Sequence, residues 1–219
     1  MLYKHNMPIK ENLPTKIPVF PLSNFIIFPK TTVPLNIFEP RYIEMVDDAM
    51  KGNRIIGMIQ PKKSNESIPM LYNVGCAGKI TSFNEVEEGR YLIVLQGMSR
   101  FKILEEKETK KLYRECQVSF KEFPNDIDKK NEKINFSDLE LIFKNIKSLF
   151  IKQGYIINWK ELEKQSLDET INTLSMASPF SLEEKQTLLE TVNLKDRKEK
   201  LEKILSTYNF DNYDNKTIQ

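Results

Sequence analysis

Histidine is nearly missing from this chain: His5 is the single copy in 219 residues. It stands in a proline-bearing N-terminal stretch expected to be mobile, so a Ser-His-Asp triad or a Cys-His pair would depend on a residue with no fixed place. Cysteine is scarce too, and Cys76, Cys116 and His5 show no ligand spacing for zinc. The two thiols are expected to be reduced and buried in strands. The phosphate-cradling pattern GxxxxGK[ST] is missing. Glycines crowd together only in "GCAG" (75 to 78), and the alternating "KITSF" after it says strand, so the pair reads as a close backbone approach in a curved sheet. Long apolar runs are missing: "FIIF" and "LIVL" are far too short to cross a bilayer, and "MLYKHNMPIKENLPTK" lacks the apolar core of a secretory signal. A cytoplasmic protein is expected. Charge of one sign is missing as well: 33 Lys plus Arg against 31 Asp plus Glu leave a net charge of +2, with no broad bias toward phosphate backbones or acidic membranes.

What is present is enough apolar content, 40% of residues, to bury a real core, in two halves of different texture. From Ile17 to about Phe120 the runs are short, β-branched or aromatic, and often alternating. "RIIGMIQP" (54 to 61), "VGCAGKITSFNEV" (74 to 86), "GRYLIVLQG" (89 to 97), "SRFKILEE" (99 to 106) and "LYRECQVSF" (112 to 120) predict five strands, with "EVEEGR" as a hairpin turn. Pro21, Pro29 and Pro34 punctuate "VFPL", "FIIFP" and "VPLNIF", which predicts edge strands and bends. Pro40 predicts a helix start, followed by Tyr42, Ile43, Val46, Ala49 and Met50 at helical spacing, with Gly52 as a left-handed stop.

The texture changes at "FPNDIDKKNEK" (123 to 133), a charged linker candidate. Beyond it three capping boxes place a serine hydroxyl and a carboxylate where the first turn of a helix has free N–H groups: Ser137 with Glu140, Ser166 with Glu169, Ser181 with Glu184. One stripe of the first helix carries Leu139, Ile142, Phe143, Ile146, Leu149 and Phe150 as far as Gly154; the last faces inward through Leu194, Leu201, Ile204 and Leu205. Trp159 and Tyr155 are candidates for internal packing or for pairing chains, and spacing does not choose. Serine and lysine are plentiful, but no local motif marks a Ser-Lys pair, and "EVEE" and "EEKE" read as solvated turns. Basic residues alternate with acids, as in "KDRKEKLEK", which is a solvated helix face rather than a nucleic-acid footprint.

The ordered set "PVFPLSNFIIFPKTTVPLNIFEPRYIEMVDDAM", "VGCAGKI", "GRYLIVLQGMSRFKI" and "SPFSLEEKQTLLE" resembles the Lon protease amino-terminal, substrate-binding family, in particular its short stand-alone bacterial members. The resemblance runs over about residues 17 to 207. It implies an α+β fold, a PUA-like β pseudo-barrel with one packed helix followed by a C-terminal helical bundle. The implied division is a flexible tail over 1–16, the β domain over 17–123, a linker over 124–133, the bundle over 134–209 and a frayed tail over 210–219. It further implies a non-catalytic module of protein quality control without the ATPase and peptidase domains, needing no cofactor or metal. Its partners would be unfolded or client polypeptides and an ATP-dependent protease, not nucleic acid or membrane. An RNA-binding PUA-like module and a stand-alone hydrolase are the competing readings. Since misfolded chains display apolar side chains and open strand edges, Phe25, Ile26, Phe28 and Pro29, with Phe38, Arg41 and Tyr42, are the candidate polypeptide-binding residues. The competing reading of the same residues is that they close the core, with Arg41 paired to Glu39 or Glu44.

Overall fold

The computed structural model describes residues 13–127, 139–156, 158–162 and 164–214, with side chains as far as Tyr208. Six strands come first: β1 (Lys16–Pro21), β2 (Thr32–Ile37), β3 (Ile55–Ile59), β4 (Val74–Val86), β5 (Arg90–Lys107) and β6 (Arg114–Ser119), with helix α1 (Pro40–Lys51) between β2 and β3. They form one sheet in the order β2-β5-β4-β3-β1-β6. Because β5 also pairs with β6, the strands β5, β4, β3, β1 and β6 return on themselves in a closed ring of pairings, and β2 stays outside it as an edge. Closure leaves the ring strands with fewer open edges. Ile17, Val19, Ile55, Ile59, Ala77, Phe101, Cys116 and Val118, drawn from all five ring strands, meet in one apolar cluster inside it.

Two expectations change here. The predicted strands 89–97 and 99–106 are one strand, β5. Ala77 pairs with Ser99 while Gly78 pairs with Gly97, so Met98 is a bulge that bends the strand without ending it. This bend lets a single strand serve β2 with its first half and β6 with its second, while β4 pairs with it on both sides of the bulge. Nor is β1 an edge strand: it runs between β3, to which it is parallel, and β6. Pro18 is tolerated there because the register with β3 begins only at Val19, and Pro21 closes the strand. The segment "FIIF" forms no strand at all; it is part of the β1–β2 loop.

Helix α1 starts at Pro40 as predicted and buries Tyr42, Met45, Val46 and Ala49. Its stop differs in detail. Gly52 sits at φ −114, and the left-handed residue is Arg54 at φ 63. After a short turn at Pro124–Asp126 come α2 (Glu140–Lys152), α3 (Trp159–Leu162), α4 (Leu167–Ala177), α5 (Leu182–Glu190) and α6 (Leu194–Asp214). The boxes Ser166/Glu169 and Ser181/Glu184 start α4 and α5 as predicted. Ser137 lies outside the described residues, as do the N-terminal residues 1–12, most of the expected linker and the last five residues. Leu139, Ile142, Ile146, Leu149 and Phe150 are buried on one side of α2, and Trp159 stacks edge-on against Phe143 and Phe150. Helix α6 runs along α2, α4 and α5, while α5 rests on β4. A second apolar cluster, with α1, the β1–β2 loop and all five of these helices contributing, joins the helix-facing side of the sheet to the helices in one core.

Candidate functional site

The β1–β2 loop explains what the proline-studded opening of the fold does. Asn24 and Lys30 both take positive φ, which folds the chain back on itself and drives Ile26, Ile27 and Phe28 inward. The Thr31 hydroxyl donates to the Phe28 carbonyl (2.6 Å) and accepts from the Phe28 N–H (3.1 Å), so the loop is internally laced. Its floor is β5: Lys30 N–H donates to the Gly97 carbonyl (2.9 Å) and Gly97 N–H to the Thr31 carbonyl (2.8 Å). A Cβ at Gly97 would lie 1.9 Å from the Phe28 carbonyl oxygen, so only glycine fits. Its roof is helical. Lys185 of α5 donates to the Asn24 carbonyl, Asn172 of α4 reaches the Pro29 carbonyl, and the Arg197 guanidinium of α6 stands 4.4 Å above the Phe28 ring. Lys30 pairs with Asp168 at the start of α4. Burial alone would raise the Asp168 carboxyl; Lys30 and the Ser166 hydroxyl outweigh it and hold it low.

The expected binding patch is therefore divided. Ile26, Phe28, Pro29 and Tyr42 are buried and are corrected from surface to core: the loop holds the helices of its own chain, and Tyr42 packs its ring 4.3 Å from Phe20. Phe25 is half-buried at the rim of that core. Phe38 and Arg41 remain at the surface, Phe38 with 64% of its area exposed. Arg41 pairs with Glu39 (Nε and Nη2 to Oε2, 3.0 and 2.8 Å) and lies 4.6 Å above the Tyr42 ring, so its planar cation is already oriented.

Sequence reasoning missed the neighbours of this corner. Leu112, from the β5–β6 loop, is exposed, and its N–H donates to Glu44 of α1 (3.3 Å). Met70 and Ile68, from the β3–β4 loop, are exposed too, and Arg114 fastens that loop by donating to the Pro69 carbonyl (2.8 Å). Exposed apolar residues inside loops carry no periodic signal, which is why spacing did not find them. The loops are held against α1 by a polar knot. Tyr113 donates to Asp48 (2.8 Å), and the Lys111 ammonium reaches both the Tyr113 oxygen (2.6 Å) and Asp48 (2.9 Å). Burial pushes the Tyr113 phenol up to about 12, with Lys111 pulling against it, and the bonds from Lys111 and Tyr113 hold Asp48 below the usual carboxylate range.

Elsewhere the chemistry is quiet. Burial pushes both thiols up, Cys116 to about 11 and Cys76 further, which makes them poor nucleophiles. Among the described residues no group of three or more His, Cys, Asp or Glu side chains could hold a metal ion, and no helix is long and apolar enough to cross a membrane. An open cleft of about 300 Å³ lies between Lys30 and Thr32 on one side and Gln165, Glu169, Thr173 and Met176 of the helical half on the other.

Comparison with known proteins bears on this geometry. The family model described as the ATP-dependent protease La (LON) substrate-binding domain matches residues 16–207, across both halves. The chain is 28% identical over 188 residues to Lon protease 1 of Bdellovibrio bacteriovorus, covering 84% of this chain and 24% of that protein. It spans about a quarter of the length of the curated relatives it matches. Among solved structures it is similar to a Lon N-terminal domain protein from Xanthomonas campestris (TM-score 0.62, 19% identity, covering 88% of this chain and 98% of that one). It is also similar to the N-terminal domain of Mycobacterium avium complex Lon protease (TM-score 0.61, 16% identity, 87% and 98% covered). At these identities the structural likeness speaks for the fold alone.

Proposed function

Because the chain belongs to the ATP-dependent protease La (LON) substrate-binding domain family, we propose that it is a polypeptide-recognition module of protein quality control, binding unfolded or client chains in the cytoplasm without catalysis of its own. The observation that carries this is the family match over residues 16–207, which takes in the strand ring and the helices together. On this reading the ring is the PUA-like pseudo-barrel and the helices α2–α6 are the C-terminal bundle, with an ATP-dependent protease as the partner that receives what is bound.

The surface at the N-terminus of α1 supports the reading physically. Phe38 and Arg41 are exposed there, Leu112 is exposed on the loop and donates its N–H to Glu44 of the same helix, and Met70 is exposed on the β3–β4 loop, in place of the four buried members of the expected patch. An unfolded chain exposes apolar side chains that a folded one hides, so such contacts discriminate state rather than sequence. Each side chain removed from water contributes about 1.5–3 kcal/mol, against which ordering the client costs several kcal/mol. The expected capture is therefore weak and reversible, as a module that hands its client on requires.

The test compares reduced, carboxymethylated α-lactalbumin with its native form as probes for the purified protein, together with assays of ATP and peptide turnover. Retention of the unfolded form over the native one, without turnover, supports the reading. Equal retention of both forms, or hydrolysis that survives repurification and is lost with one point mutation, overturns it.

A further inference from the structure

The register of β2, β5 and β4 sets out a second surface, continuous with Phe38, on the side of the sheet away from the core. Opposite residues share a face, which gives the rows Thr32–Gln96–Lys79, Pro34–Val94–Ser82 and Asn36–Leu92–Asn84. One step further, Arg90 and Val86 are paired, and Phe38 follows Ile37 at the end of β2 beside them. The inner side of the same strands is core: Val33, Ile37, Ile80, Ile93 and Leu95 are buried. The outer side is open, with Leu92 at 45% exposure.

Its composition is unusual for exposed positions. Charged residues make up 29% of the chain, yet the two middle rows hold none. Exposed strand faces normally collect charge, and its depletion with retained apolar and amide side chains marks the centre of a contact surface. At one end of this face Lys79 is an exposed cation; at the other Arg90 is paired with Glu88 (3.4 Å) at the hairpin tip, which also exposes Glu87. Beyond Thr32 lies the cleft beside α4, where Glu169 is engaged by Ser166 and Asp168 by Lys30.

We propose that this outer face of β2, β5 and β4 is where the client is read, and that it takes an extended segment of apolar and small neutral residues with an acidic residue at the one end that meets Lys79. The proposal rests on the polypeptide-binding reading above. Charge complementarity selects the occupant: a neutral centre meets the uncharged rows, and a carboxylate at one end meets Lys79, while the Arg90 end is already balanced by Glu88. Length agrees. The six residues of β2 span about 20 Å, which is the reach of about six extended client residues. Simple strand addition at the free edge of β2 is interrupted, since Pro34 lacks a donor in its middle, so recognition falls to side chains on the face.

The experiment measures fluorescence anisotropy of short labelled peptides with a Leu-Val-Phe-Leu centre, one flanked at a single end by glutamates and its twin at the same end by lysines. The glutamate-flanked peptide binds the wild-type protein at least about fivefold tighter than its twin. Leu92→Glu weakens that peptide by at least about tenfold, because it buries a carboxylate in the contact. Leu141→Glu, on an exposed position of α2, leaves binding unchanged. A benzophenone carried by the same peptide labels residues of the three outer rows in the wild-type protein, a readout that needs no variant to fold. If Leu92→Glu binds like wild type, or the label falls on the helices, the face is wrong, while retention of unfolded α-lactalbumin keeps the general reading standing. If neither peptide nor unfolded protein binds, both fall. If Leu92→Glu instead dissociates a homodimer and leaves peptide binding intact, the face joins two copies and the proposal is overturned.

Discussion

Replacing Arg100 with methionine is the sharpest way to ask what unites the strands and the helices. Arg100 is 1% exposed on β5. Its guanidinium makes a two-pronged bond with Asp126, Nε to Oδ2 at 2.9 Å and Nη2 to Oδ1 at 2.8 Å, and lies 4.2 Å above the Phe123 ring. The remaining N–H groups donate to the carbonyls of Leu189 (3.0 Å), in the last turn of α5, and of Thr191 and Val192 (3.2 Å) just past it. A cation is doubly suited to that place, since the end of a helix leaves carbonyls unpaired and carries partial negative charge. Methionine fills the volume but leaves the Asp126 carboxylate, whose side chain is only 8% exposed, without its cation and with only the backbone N–H of residue 100 (2.9 Å) of the bonds that Arg100 made to it. Breaking a buried pair from one side costs about 3–5 kcal/mol. With a urea dependence of about 3 kcal/mol per molar, the unfolding midpoint falls by about 1–2 M. Trp159, the single tryptophan, reports the helical half by fluorescence, and far-ultraviolet circular dichroism reports the backbone of both halves together. Wild type unfolds in one transition by both probes, whereas in Arg100→Met the Trp159 transition comes first. The double variant Arg100→Met/Asp126→Leu recovers much of the loss, because no charge is left stranded. A single change that costs less than about 1 kcal/mol, or transitions that stay coincident, refutes the clasp.

Gly97→Ala forces the Phe28 carbonyl away from a Cβ that would lie 1.9 Å from it, which unseats the β1–β2 loop from β5. The expected loss is about 1–3 kcal/mol, read as a fall of several degrees in the thermal midpoint, and an unchanged midpoint counts against the fit. In the fold, burial pushes the Tyr113 phenol up to about 12, against 10.0 for the ordinary phenol. Between those values the unfolded chain has lost the proton that the folded chain keeps, so stability is full below pH 10 and falls as pH rises toward 12. Urea midpoints at about pH 9 and about pH 11.5 record that slope, and Tyr113→Phe flattens it if the phenol is its source.

Much of this structure is legible in the residues, and the exceptions have physical causes. Pro40 and the serine boxes at 166 and 181 announce helices because capping is a local transaction between neighbours in sequence. The stripe of α2 and the bounds of β4 follow from periodicity alone. The continuity of β5 is hidden because "QGMSR" looks like a turn, and only the partner strand reveals Met98 as a bulge. The interior position of β1 depends on a parallel pairing with β3, across a helix, which no local pattern encodes. The candidate residues show the same limit. An apolar cluster such as "FIIF" says that something will cover it, but not whether the cover is a client or the chain's own α4, α5 and α6. Arg100 and Arg197 look like ordinary surface cations in sequence, since their acceptors are backbone carbonyls and side chains far along the chain.

A receptor for unfolded polypeptides faces a conflict: a surface apolar enough to catch a client is apolar enough to catch another copy of itself. The chain resolves it by separating stability from exposure. Its largest continuous apolar loop is closed permanently under helices, with two buried arginines converging on the carbonyl of Thr191 to fix the lid. The edge that β2 leaves open is interrupted by Pro34, so a second sheet cannot zip along it. What stays exposed is dispersed: Phe38, Leu92, Met70 and Leu112 sit on different elements among amides and cations. Each alone offers too little area for stable self-association, while an extended client, which can reach several at once, sums their contributions. Selectivity for unfolded chains then follows from geometry, since a flexible segment can touch points on separate elements at once without first losing a fold of its own.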